Sequence, residues 1–517
     1  MKRVIGDLLN FYSVHKKNNF KSMSANNSIY DFFVKGCESC GDIIAIIDPS
    51  GKEISYSSLI IEIEAVSNSL VELLNSQKSV VAIEAVKSSQ TIILVLACIK
   101  TEIPYVILDP SLPRNRLISI IKKSGLKFIF SEKNTINVGE INSGTFFKDF
   151  YFHEVENTLI QTIDNRILYI MFTSGSTGEP KGAMIGRDGL IEFIRWAKKE
   201  FQIKKGDRVS SINPLYFDNS VFDIYTSLFN QATLIICPDE ITKNPSNLIE
   251  FLNDKRCVQW FSVPSLLIFC LESGAFQARS MTYLKRIIFG GEAFPKTKLR
   301  NLVDTLGKEK DYFNVYGPTE CTCMCSSYKI QESEFIEPES LMPLGNIPDY
   351  FKYEISDSGE LFLGGDAVGF GYVSDNIQST KNFFDKLLDG SRVRFYKTGD
   401  IVKISPRNNM LYFVSRKDHQ IKHMGYRIEL NEIEFASTSF DYIRESIALY
   451  VKHTSGYSYI CLAVGSKIPD RDSLIKDLKK KLPVYMLPRR IIIQDVLVKN
   501  KNGKIDRQYY EKLFEQE

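Results

Sequence analysis

Charge of one sign is scarce in this chain. It has 65 Lys and Arg against 62 Asp and Glu, a net of +3, too balanced for the broad basic footprint of a nucleic-acid binder. Long hydrophobic runs are missing too. The longest strongly apolar stretch, Thr91–Ile99 (TIILVLACI), falls far short of the roughly 20 residues a spanning helix needs. The first residues, MKRVIGDLLNFYSVHKKNNF, carry no sustained apolar segment and no small-residue cleavage site, so the expected location is the cytoplasm, with no membrane partner. Ten cysteines in 517 residues are too few for a disulfide scaffold. Cys37 and Cys40 form a lone CxxC with no second pair, which reads as buried thiols before zinc or redox chemistry. Cys321, Cys323 and Cys325 alternate and predict one face of a strand. No repeat and no low-complexity tract occurs.

A length of 517 residues corresponds to about three domain equivalents. Apolar residues at 44% and charged residues at 25% are ordinary globular values. Strand-like runs at Val80–Glu84, Ile167–Phe172, Thr233–Cys237 and Arg286–Phe289 alternate with helical stretches such as Tyr56–Leu74 and Gly189–Phe201. That alternation predicts an α/β fold with mostly parallel sheet. After Gly369 the texture changes to a predicted turn at Lys397–Gly399, short strands, and a second turn at Pro406–Asn409. A boundary is expected near Asp418. It leaves a large multi-sheet domain at 1–418 and a small α+β lid domain at 419–517.

The most informative segment is YIMFTSGSTGEPKG, Tyr169–Gly182. A strand runs into Thr173, Ser174, Gly175, Ser176, Thr177 and Gly178, followed by Pro180, Lys181 and Gly182. Small residues let the backbone approach phosphate oxygens, while hydroxyls and amides donate to them. Pro180 stands where a Walker loop has glycine, so this is a different phosphate loop.

TSGSTGEPKG resembles the phosphate loop of the adenylate-forming enzymes: acyl-CoA synthetases, luciferases and nonribosomal-peptide adenylation domains. NVYGPTE (Asn314–Glu320), YKTGD (Tyr396–Asp400), SRKDHQIKHMGYRIELNEIE (Ser415–Glu434) and NGKIDR (Asn502–Arg507) follow in the family's order. The resemblance implies attack of a carboxylate on the α-phosphate of ATP, giving an acyl-adenylate and pyrophosphate. Charge gathers around phosphorus in that transition state, so donors and cations should converge there. By resemblance Thr173 and Lys181 are catalytic members of the phosphate loop, and Glu320 is a Mg²⁺ ligand, suited to a hard cation. Asn314, Tyr316, Gly317 and Thr319 would line the nucleotide, with Tyr316 stacked on adenine. Gly291 and Glu292 would follow the adenine, Asp400 would accept the ribose hydroxyls, and Arg416 would reach ribose or phosphate. Lys504, a lysine of a polar loop near the chain end, would swing in with the small domain about Asp418. It would bridge the acyl carboxylate and the α-phosphate.

In amino-acid-activating members of that family, an aspartate of the FDxSV motif pairs with the substrate ammonium. Phe217–Val221 reads FDNSV here, so Asp218 is available. A carboxylate at the mouth of an apolar pocket is costly without a cation. The competing reading of Asp218 is a helix N-cap. The other pocket positions carried over are Asn219, Phe222, Ser262, Ile288, Gly290, Val315, Cys323 and Met324. None is charged, which implies a neutral, small-to-medium side chain.

The stretch VQWFSVPSLLIFCLESGAF resembles the D-alanine–carrier ligases. Those ligases have cysteine where Gly290 stands, so a roomier pocket is expected here. No carrier domain is fused, so the acceptor is expected to be a separate phosphopantetheine carrier protein, with Gly425 and Tyr426 lining its tunnel. The competing readings are an acyl- or aryl-CoA ligase, which Asp218 disfavours, and a decayed ligand-binding scaffold. Against decay, Lys181, Glu320, Asp400, Arg416 and Lys504 are all present.

Overall fold

The computed structural model describes residues 28–75, 79–132, 140–147, 150–156, 163–175, 177–278, 281–336, 341–452, 458–466, 471–500 and 504–516. One seven-stranded sheet has a parallel centre of Phe128–Ser131, Val81–Glu84, Tyr105–Leu108 and Ile167–Thr173. Its edges are antiparallel, and one of them is the pair Ile167–Thr173 and Lys181–Gly186. An eight-stranded sheet runs, in spatial order, from Ser326–Lys329 through Asp311–Tyr316, Arg286–Gly290 and Gln259–Ser262. It continues through Arg208–Ser211, Thr233–Ile236 and Ile44–Ile47 to Glu53–Ser55.

Strands buried on both faces read as continuous apolar runs, which is why Val81–Glu84 and Thr233–Ile236 stood out in the sequence. Helices fill the space between these sheets. Ile63 and Val95 from two of them, with Phe193 from a third, share one apolar core with Ile83, Tyr169, Leu234 and Ile288. Helix Tyr56–Leu74 begins where Ser55 accepts the Ser58 amide and ends at left-handed Asn75. Helix Ser89–Thr101 is buried along the whole run Thr91–Ile99. The longest apolar stretch is therefore an interior helix of the fold.

A third sheet, of five strands, is built on the long strand Ser391–Ile404, which pairs with Glu360–Gly365, Phe383–Leu388 and Leu411–Arg416. That strand corrects one expectation. Lys397–Gly399 is no turn: the chain passes straight through it as an irregularity in the pairing with Glu360–Gly365, with Gly399 at φ +73°. The extra residues bend the strand and re-aim Asp400. The cysteine alternation is also corrected. Thr319–Cys321 is a 3₁₀ turn, Thr322 has φ +78°, and the strand begins only at Ser326. All ten cysteines are free and buried.

The last strand of the third sheet ends at Arg416 and the next element begins at Gln420, with Asp418 between them. The hairpin Gln420–His423/Tyr426–Glu429 turns on Met424 and Gly425, both at positive φ. Helix Leu430–Thr438 follows, then the sheet Ile443–Lys452, Ser458–Ser466, Arg490–Gln494. This part has its own apolar cores, one around Ile433 and Leu462 and one around Leu449 and Tyr510.

Asp223 lies in a π-helical turn, Phe222–Thr226, and is fully buried. One oxygen accepts from Asn213 Nδ2 at 3.0 Å, and the other has no partner among the described residues. Burial pushes its carboxyl up to about 8 against the opposing pull of Asn213 and Lys87. A carboxyl raised this way contributes stability that is complete below about 3.8 and lost as pH climbs through about 8. Asp223→Asn, which keeps the shape and cannot ionise, should flatten the decline of melting temperature across that interval. We expect it to recover about 1–3 kcal/mol at the alkaline end. An unchanged slope in melts taken across pH overturns this reading.

Candidate active site

The site forms where the third sheet and the small C-terminal part meet the ends of the two large sheets. Pairing of Thr173 with Lys181 turns residues 174–180 into a hairpin loop. The Gly178 amide donates to Gly175 O at 3.0 Å, and Gly178 takes φ +82°. A Cβ on Gly175 would collide with the Glu179 carbonyl, so the tight curl requires glycine there. Thr173 Oγ1 is buried with no partner among the described residues, on a residue that lines a cavity beside the loop. Lys181 is 5% exposed, and burial with nearby Arg427 lowers its proton affinity. Ser176 lies outside the described residues, and Thr177 is exposed.

Glu320 is completely buried in the turn after strand Asp311–Tyr316. It accepts from Tyr372 Oη at 2.6 Å and pairs with Arg427 Nη1 at 2.6 Å. Burial alone would raise its carboxyl, but Arg427 and Tyr372 outweigh it and hold the group down to about 2. Among the described residues no cluster of three His, Cys, Asp or Glu could enclose a metal. A single ionised carboxylate beside a phosphate loop fits a hard cation that takes its remaining ligands from phosphate and water.

Tyr316 Oη donates to Asp400 Oδ2 at 2.5 Å and Arg416 Nη1 to Asp400 Oδ1 at 2.7 Å. Arg416 also grips Asp418 through Nε and Nη2, at 2.9 and 2.7 Å. Asn314 is anchored to Pro343 O at 2.8 Å. A Cβ on Gly317 would lie 2.5 Å from Met324 Cα, so glycine permits the crossing of these two segments. A cavity of about 280 Å³ adjoins this group, lined by Gly291, Glu292, Asn314, Tyr316, Asp400 and Arg416 among others.

A second cavity, of about 70 Å³, is lined by Asp218, Asn219, Gly290, Val315, Cys323 and Met324, together with Phe261 and Val263. Its lining also takes in Tyr316, Asp400, Arg416 and Lys422, so it opens onto the first cavity, which shares those residues. Asp218 caps nothing: its own angles are helical and its side chain makes no cap bond. Instead its carboxylate accepts from Thr319 Oγ1 at 2.6 Å. Burial raises its carboxyl against the opposing pull of Thr319, Lys422 and Arg427, the two cations lining the same cavity.

Three expected pocket residues do not line this cavity. Ser262 is one strand position off: it accepts the Trp260 Nε1 proton at 2.7 Å on the opposite face, while Phe261 faces the cavity. Ile288 is fully buried in the core between the sheets. Phe222 packs against Phe193, Phe201 and Phe261 with ring centroids 6.4, 5.3 and 4.9 Å away, behind the lining. Gly290 lines it, but for a different reason than spare room. A Cβ there would meet Val315 Cγ2 at 2.6 Å and its carbonyl more closely still, so glycine is what lets the two paired strands approach.

A third cavity, of about 100 Å³, shares Phe217, Asp218, Thr319, Gly425 and Arg427 with the second. Tyr426 forms its wall, stacked on Tyr485 at 3.6 Å and edge-on to Phe217 at 4.8 Å. The Gly425 amide donates to Glu292 Oε1 at 2.5 Å, and its missing Cβ allows contact with Val263. Lys504 is not brought to the site. It is exposed on a loop tied by hydrogen bonds to Asn500, and the hairpin Gln420–Glu429 occupies the site's open side instead.

Sequence reasoning missed Arg427, Glu429, Glu432, Arg116 and Tyr372. Three of these stood inside the quoted segment SRKDHQIKHMGYRIELNEIE, where charge alternation was the available signal. Arg116 had none: it meets Glu432 across 316 positions.

A family model described as "AMP-binding enzyme" matches residues 33–372. The D-alanine–D-alanyl carrier protein ligase of Bacillus cytotoxicus is 30% identical over 442 residues, 80% of this chain and 86% of that protein. Its Bacillus anthracis counterpart is 29% identical over 482 residues, 88% and 93% of the two chains. Among solved structures, the Vibrio cholerae adenylation domain AlmE with glycyl-adenosine-5'-phosphate aligns with TM-score 0.78 at 20% identity, covering 96% of this chain and 99% of that one. An artificially fused adenylation–PCP di-domain from Klebsiella oxytoca gives 0.77 at 20%, covering 95% and 96%. These structural likenesses show the fold.

The geometry separates two neighbours on one strand. Ser262→Ala should leave the acid profile unchanged and cost about 1 kcal/mol in melting, from the lost Trp260 bond. Phe261→Ala should alter the profile. Should Ser262→Ala shift the profile while Phe261→Ala does not, the assigned faces are reversed.

Proposed function

This chain belongs to the AMP-binding enzyme family, and we propose that it activates a small neutral amino acid with ATP and passes it to a separate carrier protein. In the first half-reaction a substrate carboxylate oxygen attacks the α-phosphorus of ATP. The bond to the bridging oxygen breaks, and pyrophosphate leaves with its electron pair. In the second, the carrier's phosphopantetheine thiol attacks the acyl carbon, loses its proton, and expels AMP to leave a thioester. The curated relatives are named for D-alanine, and the uncharged Asn219, Gly290, Val315, Cys323 and Met324 beside Asp218 suit a small neutral side chain.

Asp218 carries the reading. A half-buried carboxylate at the cavity wall, capping no helix and hydrogen-bonded by the neutral Thr319, suits an α-ammonium, with Lys422 and Arg427 of the same cavity partly offsetting its charge. Thr319 orients it. Thr173, Ser174 and the glycine amides would hold phosphate oxygens, with Lys181 offsetting their charge. Tyr316 and Asp400 would take the nucleoside. A magnesium ion held by Glu320 would supply positive charge between the phosphates. Tyr426 and Gly425 would guide the thiol towards the acyl carbon. The reaction is placed in the cytoplasm because it consumes ATP; no helix among the described residues is long and apolar enough to cross a membrane.

Amino-acid-dependent ATP–pyrophosphate exchange, run with both enantiomers, tests the substrate. Asp218→Ala should lose about 3–5 kcal/mol of ammonium binding, roughly two to four orders of magnitude in exchange. ATP binding should stay near normal. Exchange within a few-fold of wild type removes the ammonium role.

Lys504 enters only the first half-reaction in this proposal. The domain 419–517 turns about Asp418: one orientation delivers Lys504, the other the Gly425 hairpin. Lys504→Ala should slow adenylation by roughly two to three orders of magnitude, the scale of one transition-state donor. Supplied with preformed aminoacyl-adenylate, the same variant should load carrier protein at nearly the wild-type rate. Equal loss in both assays, with the fold intact, eliminates a two-orientation mechanism.

A further inference from the structure

The contacts between the small C-terminal part and the phosphate loop follow a charge pattern. Arg427 donates to Glu320, the only carboxylate assigned to a metal, at 2.6 Å. Glu429 Oε1 lies 3.6 Å from Lys181 Nζ. Glu432 Oε2 accepts the Gly175 amide at 3.3 Å, while its other oxygen pairs with Arg116. The backbone completes the seat: Ser174 Oγ donates to Arg427 O at 2.6 Å and accepts from the Glu429 amide at 3.2 Å. Glu320, Glu429 and Glu432 are at most 3% exposed. Any buried contact must pair opposite charges; what sets this one apart is that its partners are the groups that suit magnesium and phosphate. Here the carboxylate that suits a cation meets a cation, and two groups that suit phosphate, one lysine and one loop amide, each meet an anion.

We propose that the small domain carries a charge copy of magnesium pyrophosphate. Arg427 takes the cation's place at Glu320, and Glu429 and Glu432 take phosphate places at Lys181 and Gly175. The seated domain and bound magnesium pyrophosphate therefore exclude one another. The proposal rests on the phosphate-binding part of the function above. It assigns Arg427, Glu429 and Glu432 as positioning residues for the transfer half-reaction: they hold the Gly425 hairpin in place only after the leaving group has gone. It also explains why the buried loop amide and lysine are not left unpaired when phosphate departs. Arg116, on the large domain, neutralises the half of Glu432 that the loop does not use.

The test measures domain position directly. Asp357→Cys on the large domain and Lys512→Cys on the small one are both exposed sites, and every native thiol is buried, so a donor–acceptor dye pair attaches selectively. Titrating the labelled full chain with magnesium pyrophosphate should empty the seated population. Glu432→Gln weakens one charged hydrogen bond of the copy and should lower the half-point at least tenfold. Equilibrium dialysis of labelled pyrophosphate runs in parallel. Pyrophosphate that binds without changing energy transfer, or a half-point unmoved in Glu432→Gln, overturns the copy. No amino acid is present, so a chain that fails amino-acid exchange still answers this question. Pyrophosphate that does not bind at all overturns both the copy and the phosphate site beneath it.

Discussion

Glu320 has no access to solvent, so its ionised form needs a cation beside it, and Arg427 together with Tyr372 holds the carboxyl down to about 2. That requirement organises much of the site. Tyr372 supplies a proton from the strand-like segment that crosses above, and Gly369 ties that segment to Glu320 O at 2.8 Å. The cation, Arg427, comes from the other side of the Asp418 connector. Taking one partner from a buried ion pair costs about 3–5 kcal/mol, comparable with a domain interface. The seat of the small domain is thus dictated by an unmet charge in the large one. Neighbouring contacts at Ser174, Gly175, Lys181 and Glu292 then fix its orientation.

The second constraint is that phosphate loop and acid cavity share a wall. Thr319 stands next to Glu320 in one 3₁₀ turn and donates to Asp218. The turn that holds Glu320 therefore also holds Asp218. Cys323, just beyond, gives its thiol proton to Asp218 O at 3.2 Å. Changes in this short segment reach both subsites at once.

Local patterns were legible where local physics decides the outcome. Helix Tyr56–Leu74 has a capping serine, apolar periodicity and a left-handed end, and the sequence placed both its ends correctly. The parallel strands announced themselves as apolar runs. Where pairing across the sheet decides, the local signal misled. Lys397–Gly399 looks like a turn because glycine and threonine favour turns, but three neighbouring strands hold it extended. Cys321–Cys325 alternates like a strand, but Thr322 takes a positive φ and the cysteines serve a loop. Ser262 and Phe261 differ by one residue, and period-two geometry sends them to opposite faces. The family motifs marked the loop, Asp218, Glu320 and Asp400. They carried no information on Arg116 with Glu432, since that pairing joins two helices through tertiary folding alone.

A domain that alternates between two orientations must be nearly balanced between them, or one state would be empty. Buried charges make this difficult, because each one left unpaired adds several kcal/mol to the state that strands it. On the alternation proposed above, the arrangement around Glu320, Lys181 and Gly175 would resolve the difficulty by exchange. Each group has a protein partner in the observed orientation, and the same groups suit a cation and phosphate oxygens when nucleotide is present. Large individual energies then appear in both states and cancel in the difference. What remains to choose between them is ligand concentration and the few contacts unique to each seat, such as Gly425 with Glu292. Lys504, exposed in this orientation, strands no buried charge by staying outside, so a polar loop can carry it in and out at little cost.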